Sequence, residues 1–229
     1  MKLSVFLLSH NKDGWVQEAV ESVLAQDYED YEFWVIDNST DDVTRKNLLA
    51  LLEEKKDPRV VWAEANVPDY IRRDKYVPAW LLNHYYPQAT GEVILYLSDD
   101  DLFMPGLFAE VATAFKNNDE WQALYFHLAR TVSRSPGVGT TWDSRFTGIP
   151  ADVIRGSGEV DCCIDGGQVA YRTSVLTDIG LPYFAEEMNL GNHADGVHLQ
   201  KVAELYDFNP LAVCGVIHRH APTSTWSKG

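Results

Sequence analysis

Three consecutive carboxylates, Asp99, Asp100 and Asp101, follow almost directly on the apolar run Val93-Ile94-Leu95-Tyr96-Leu97. Adjacent carboxylates repel one another and do not all stay charged without a cation to offset them. Oxygen-only donor sets select hard cations such as Mg²⁺ or Mn²⁺. The cluster therefore reads as a divalent-metal site that could hold a phosphate-bearing substrate. The plainer reading is that one Asp caps the next helix while the others are solvated. Other polar groups sit at comparable places. Ser9 and Asn11 follow the apolar run Leu3 to Leu8, and Asp37 and Asn38 follow Phe33 to Ile36. Asp195 precedes an amphipathic pattern, and His218-Arg219-His220 closes the apolar run Leu211 to Ile217.

These residues need a scaffold that brings them together. The apolar runs 3–8, 33–36, 59–62, 93–97 and 124–128 read as strands. Between them lie helical patterns. Val16, Ala19, Val20, Val23 and Leu24 form one stripe after a candidate N-cap, Asp13. A helix is expected over 43–54, another over 72–86 with Pro78 at its start or at a kink, and a third carrying Leu107, Phe108, Val111 and Phe115 after Pro105. Strand–helix alternation predicts an α/β fold: a mostly parallel sheet flanked by helices, with ligands outside the carboxyl ends of the strands. The acids, Ser9/Asn11 and Asp37/Asn38 would then share one edge. Residues 133–158 are rich in Gly, Pro and Arg and read as an irregular segment with lid or acceptor duty. Beyond them come a tight Asp165-Gly166-Gly167 turn before a short strand, a short helix over 173–179, the helix after Asp195 and a last strand over 211–217.

The 229 residues suffice for a single large domain with a sizeable core. The formal net charge of −15 argues against a sequence-independent nucleic-acid binder and against polybasic attachment to anionic lipid. The three cysteines, Cys162, Cys163 and Cys214, make neither a disulfide framework nor a metal spacing. No apolar stretch approaches a membrane span, so the expectation is a cytoplasmic protein without an integral span. No G-x-G-x-x-G follows the first strand, which argues against a dinucleotide-type redox enzyme.

Taken in order, four motifs resemble those of GT-A fold glycosyltransferases of family 2. They are Leu3-Ser4-Val5 to Ser9-His10-Asn11, then Glu21 to Gln26 followed by Tyr31 to Asp37. The block Gly91-Glu92 to Asp99-Asp100-Asp101 and Pro105 comes next, and Gly166-Gly167 to Arg172, Asp195 and His220 complete the set. The resemblance implies a GT-A (Rossmann-like) sheet in a single domain over 1–229. Residues 1–101 would form the nucleotide-sugar-binding half, and 102–229 a smaller acceptor-binding half. It implies that Ser9, Asn11, Asp37, Arg73 and Asp99 bind nucleotide, with Arg72 and Lys75 also in the basic region. It further implies that Asp100, Asp101 and His220 hold Mn²⁺ or Mg²⁺, with His218 a competitor for His220, and that Asp195 is the catalytic base. Where the family often has Glu-Asp, this chain has Ala194-Asp195. Which of the three consecutive acids holds the metal stays open.

The activity implied is inverting transfer of a sugar from a nucleotide-diphosphate sugar, UDP-linked, to a carbohydrate or other hydroxyl acceptor. Trp142, Trp226 and Tyr183 are candidates for stacking on sugar faces. Two other classes stay open. A sugar-1-phosphate nucleotidyltransferase would release pyrophosphate, and a non-catalytic nucleotide-sugar-binding module would bind donor without turnover.

Overall fold

The computed structural model describes residues 1–132, 136, 141–142, 152–154, 164–188 and 194–220, with only the backbone given at 132, 141, 142 and 220. Four strands, β1 (Leu3–Ser9), β2 (Tyr31–Asp37), β3 (Val60–Glu64) and β4 (Val93–Ser98), alternate with four helices, α1 (Trp15–Leu24), α2 (Asp42–Lys55), α3 (Asp69–Asp74) and α4 (Val77–Tyr85). Then come β5 (Leu102–Phe103), α5 (Leu107–Asn117), β6 (Ala123–Val132), β7 (Thr141–Trp142), β8 (Val169–Arg172), α6 (Ser174–Ile179), α7 (Ala194–Ala203) and β9 (Phe208–His220).

These strands form one sheet in the order β3-β2-β1-β4-β8-β6-β9-β5, with β7 on β6. The expected parallel arrangement holds for β3-β2-β1-β4 and for β6 with β9. β8 runs antiparallel to both β4 and β6, and β5 and β7 are antiparallel to their partners. The sheet is therefore mixed in its C-terminal half.

Strand alternation divides the core in two. Leu3, Val5, Leu7, Phe33, Val35, Leu95 and Leu97 point to one face and pack under α1 and α5. Phe6, Leu8, Ile36, Ile94 and Tyr171 point to the other, under α4, α6 and α7. β1 is buried along its whole length, as a central strand covered on both faces should be. β9 carries irregularities in its register with β6 around Phe126 and His127. Gly215 allows the close approach there: a Cβ at that position would lie 2.2 Å from the Phe126 ring.

Two local expectations are corrected. The helix expected over 72–86 is two helices, because the chain is extended at Lys75 and Tyr76, where Tyr76 N donates to Glu186 O at 2.8 Å. Pro78 lies in the first turn of α4, where a missing N–H costs nothing. Asp13 does not cap α1. Gly14 takes the cap position at φ 78°, and the Asp13 carboxylate accepts from Gln17 Nε2 at 2.7 Å and Asn47 Nδ2 at 3.0 Å.

Candidate active site

Because β1, β2 and β4 are parallel, their carboxyl ends share an edge. β8 is antiparallel to β4, with Leu95 opposite Ala170, so its amino end reaches the same edge. The 3₁₀ turn Gly166–Gln168 precedes it, capped by Asp165, whose Oδ1 accepts from Gly167 N at 2.8 Å. The pairing of Leu102 with Ile217 brings Asp101 beside His218. A cavity of about 490 Å³ opens among these ends and is closed on its far side by α4 and α7.

Asp99, Asp100, Asp165, Asp195 and His218 all line the cavity. Asp99 Oδ2 accepts from His10 N at 2.8 Å. The Lys12 ammonium bonds Asp100 Oδ2 and lies 3.8 Å from Asp99 Oδ1. Burial pushes the Asp99 carboxyl up to about 7, resisted by Lys12 and reinforced by the charge of Asp100. Asp101 is almost fully buried and does not line the cavity. Its Oδ2 lies 3.1 Å from His218 Nδ1, and its Oδ1 accepts from Arg219 N at 2.9 Å. Burial raises the Asp101 carboxyl against the pull of His218. Burial disfavours a charged His218 ring, yet the Asp101 carboxylate outweighs it and lifts the imidazole to about 9. The pair is best described as sharing one proton.

Arg219, pointing to the opposite face from His218, is fully buried. Its Nε donates to Asp100 O at 2.5 Å, its Nη2 to Trp15 O at 3.2 Å and its Nη1 to Glu18. It ties the backbone of the acid cluster to α1.

Asp195 stands in the first turn of α7, and its Oδ2 accepts from Gly166 N at 3.2 Å. Burial and the neighbouring Asp165 charge push its carboxyl up to about 6. Tyr76 lines the same wall; burial, then the Asp195 charge, push its hydroxyl up to about 12.

The residues expected at the nucleotide knit two loops together. Asn11, at φ 53°, lines the cavity; its Oδ1 accepts from Thr40 N at 2.8 Å and Asp41 N at 3.1 Å. Ser9 is fully buried with its Oγ 3.5 Å from Ser39 Oγ. Asp37 is fully buried as well, accepting from Arg45 Nε at 2.8 Å and Ser39 N at 3.2 Å. Neither Ser9 nor Asp37 lines the cavity. Arg73 is exposed and pairs with its neighbour Asp74 at 2.8 Å. Arg72 instead reaches this edge, donating to Asn38 O at 3.4 Å.

His220 ends β9 opposite Val132. Its side chain, that of Trp142, all of Trp226 and most of 133–158 lie outside the described residues. Tyr183 is buried and contributes its carbonyl to His198. Lys12, Tyr76 and Asp165 belong to the site and were absent from the expected set. Asp165 had a signal in its Asp-Gly-Gly turn. Lys12 had one in its place beside Asn11.

The donor chemistry at this edge suits a hard divalent cation: carboxylates from Asp99, Asp100 and Asp165, with one imidazole. Burial first, and the Asp100 and Asp101 charges after it, raise the Asp99 carboxyl, and a cation held there would lower it. Among the described residues no group of three or more His, Cys, Asp or Glu side chains is already arranged to hold a metal ion. Lys12 occupies the position between Asp99 and Asp100. Among the described residues, no helix is long and apolar enough to cross a membrane.

The family model described as "Glycosyl transferase family 2" matches residues 4–179. Protein CgeD of Bacillus subtilis (strain 168) is 26% identical over 215 residues, covering 92% of this chain and 48% of that protein. This chain thus spans about half the length of that relative. Among solved structures, S. aureus TarS 1-349 in complex with UDP-GlcNAc superimposes with a TM-score of 0.67 at 19% identity, covering all of this chain and 61% of that one. Mannosyltransferase PcManGT from Pyrobaculum calidifontis in complex with GDP-Man and Mn²⁺ gives a TM-score of 0.62 at 18% identity, covering 94% and 56%. Both show the same fold.

Proposed function

The chain belongs to glycosyl transferase family 2, and from that premise we propose that it moves a sugar from a UDP-sugar to an acceptor hydroxyl with inversion at the anomeric carbon, using a divalent cation. The observation that carries the reading is the placement of Asp195 in the same cavity as Asp99 and Asp100, on a different element. Asp99 and Asp100 suit a diphosphate and its cation, and Asp195 in the same lining supplies a proton acceptor.

Residues 1–101 hold most of the donor in this reading, and 102–229 supply the base and shape the acceptor side. Asn11, Ser9 and Asp37 order the loops that meet the nucleoside, and Arg72 rather than the outward Arg73 reaches that edge. Asp99 faces the ribose. Asp100 would be the direct metal contact, because Asp101 already has both oxygens engaged by His218 and Arg219. Asp101 and His218, paired with each other, would support Asp100 from behind. His220 is the other imidazole candidate. When bound, a Mn²⁺ or Mg²⁺ ion would neutralise diphosphate charge as the glycosidic bond breaks.

Asp195 takes the acceptor proton. A carboxyl near 6 is mostly ionised at neutral pH and more basic than a free Asp, the combination a general base needs. Its Gly166 hydrogen bond fixes its orientation. With one base facing one carbon, a single displacement follows.

Asp195→Asn tests the assignment. Transfer to acceptor should be lost while UDP and Mn²⁺ still bind by calorimetry. Retained transfer, or lost nucleotide binding in a folded variant, would overturn the role.

A further inference from the structure

The cavity has two chemically different ends, and the mechanism above uses one of them. The inner end is walled by Leu82 of α4, Ile94 of β4, Val169 of β8, Phe184 and Leu199 of α7. Polar atoms do occur there, and the His198 ring is engaged at both nitrogens. His198 Nε2 lies 3.0 Å from the Tyr171 hydroxyl, and His198 Nδ1 lies 3.2 Å from Tyr183 O. Tyr86 and Tyr96 also line the cavity. A sugar hydroxyl placed against these apolar side chains would give up its water for no hydrogen bond from them. A methyl group needs no hydrogen bond there and would bury apolar surface.

The helix that carries the base also walls this end. Asp195, His198 and Leu199 lie at i, i+3 and i+4 and share one face of α7. The acceptor hydroxyl must approach Asp195 and the attacked carbon lies next to that hydroxyl, so the inner end, one helical turn or roughly 5 Å along α7 from Asp195, neighbours the carbon. The pyranose substituent nearest the anomeric carbon is the one on C2. C6 lies across the ring oxygen.

We propose that the inner end of the cavity is the subsite for an apolar-tipped C2 substituent, so that the preferred donors are 2-acetamido sugars rather than 2-hydroxy sugars. This deepens the transferase reading and rests on it.

The test is calorimetry of the full chain with Mn²⁺ against UDP, UDP-glucose, UDP-6-deoxyglucose, UDP-N-acetylglucosamine and UDP-N-acetylgalactosamine, without acceptor. The expected result is binding of at least one 2-acetamido donor at least tenfold tighter than UDP-glucose, the discrimination a buried methyl group supports. Leu82→Phe, which fills the inner end from α4, should shrink that ratio toward one. Equal or tighter binding of UDP-glucose, with UDP itself bound, overturns the subsite while the transferase reading stands. Preference for the 6-deoxy donor also overturns it, by moving the apolar contact to C6. Failure of UDP and every UDP-sugar to bind overturns the UDP-sugar reading, and the subsite with it.

Discussion

Replacing His198 by Gln is expected to flatten the acid limb of the stability curve. His198 is buried between Tyr171, Tyr183 and Phe184, its ring stacked on Phe184 with centroids 4.1 Å apart. Burial disfavours its charged form, the Tyr183 carbonyl resists, and the Lys201 ammonium adds to the effect, leaving the imidazole lowered from 6.5 to about 4. In the unfolded chain the ring takes up a proton as the pH falls below about 6.5, while the folded protein declines it until about 4. The contribution to stability is therefore complete above the unfolded value and is lost as pH falls through the folded one. At 1.36 kcal/mol per pKa unit the loss is about 3 kcal/mol. Gln can bond both Tyr171 and the Tyr183 carbonyl but cannot titrate. Urea unfolding followed by tryptophan fluorescence, from about pH 7 to about pH 4, should show the wild type losing about 3 kcal/mol more than the variant. The carboxylates titrate in both proteins and cancel in the comparison. Parallel curves would refute the reasoning.

Lys12→Met should raise Mn²⁺ affinity in the absence of nucleotide by roughly tenfold, because the ion no longer competes with an ammonium for Asp99 and Asp100; calorimetry with the metal alone reads it. Arg45→Ala leaves the fully buried Asp37 carboxylate without its cation and should cost about 2 kcal/mol in chemical denaturation. Gly215→Ala drives a methyl into the Phe126 ring, and a fall in stability of about 1–3 kcal/mol should appear in thermal melts, with transfer reduced because β9 carries His218. Treatment with EDTA should abolish transfer, and added Mn²⁺ should restore it; full activity in chelator would exclude a metal role.

Much of the donor side was legible because its signals are local. Apolar runs of strand length, amphipathic stripes and polar strand ends depend on neighbours within a dozen residues. The mixed half of the sheet was not. Whether β8 pairs with β4 antiparallel is decided by contacts some 75 residues apart, and no periodicity within Val169–Arg172 carries that information. The same topology hid Asp165, which reaches the site only because an antiparallel β8 delivers its amino end there. The break at Lys75 and Tyr76 depends on Glu186 and Glu187, which bond this stretch from across the fold. Asp37 shows a further kind of gap. Its residue type and place were readable, but its partner Arg45, one helix turn into α2, was not.

The grip of Arg219 on α1 has a consequence for biosynthesis. Its guanidinium meets Glu18 and Trp15, which precede it by 201 and 204 residues, and β9 inserts between β6 and β5. A nascent chain extended only past the acid cluster can build β1 to β4. It has neither the strand that pairs β5 nor the arginine that fixes the carbonyl of Asp100. Closing so long a loop is entropically expensive and slow. The contacts that shape the acid cluster thus form only once β9 has been made, its Arg219 lying 118 residues after Asp101 and 119 after Asp100.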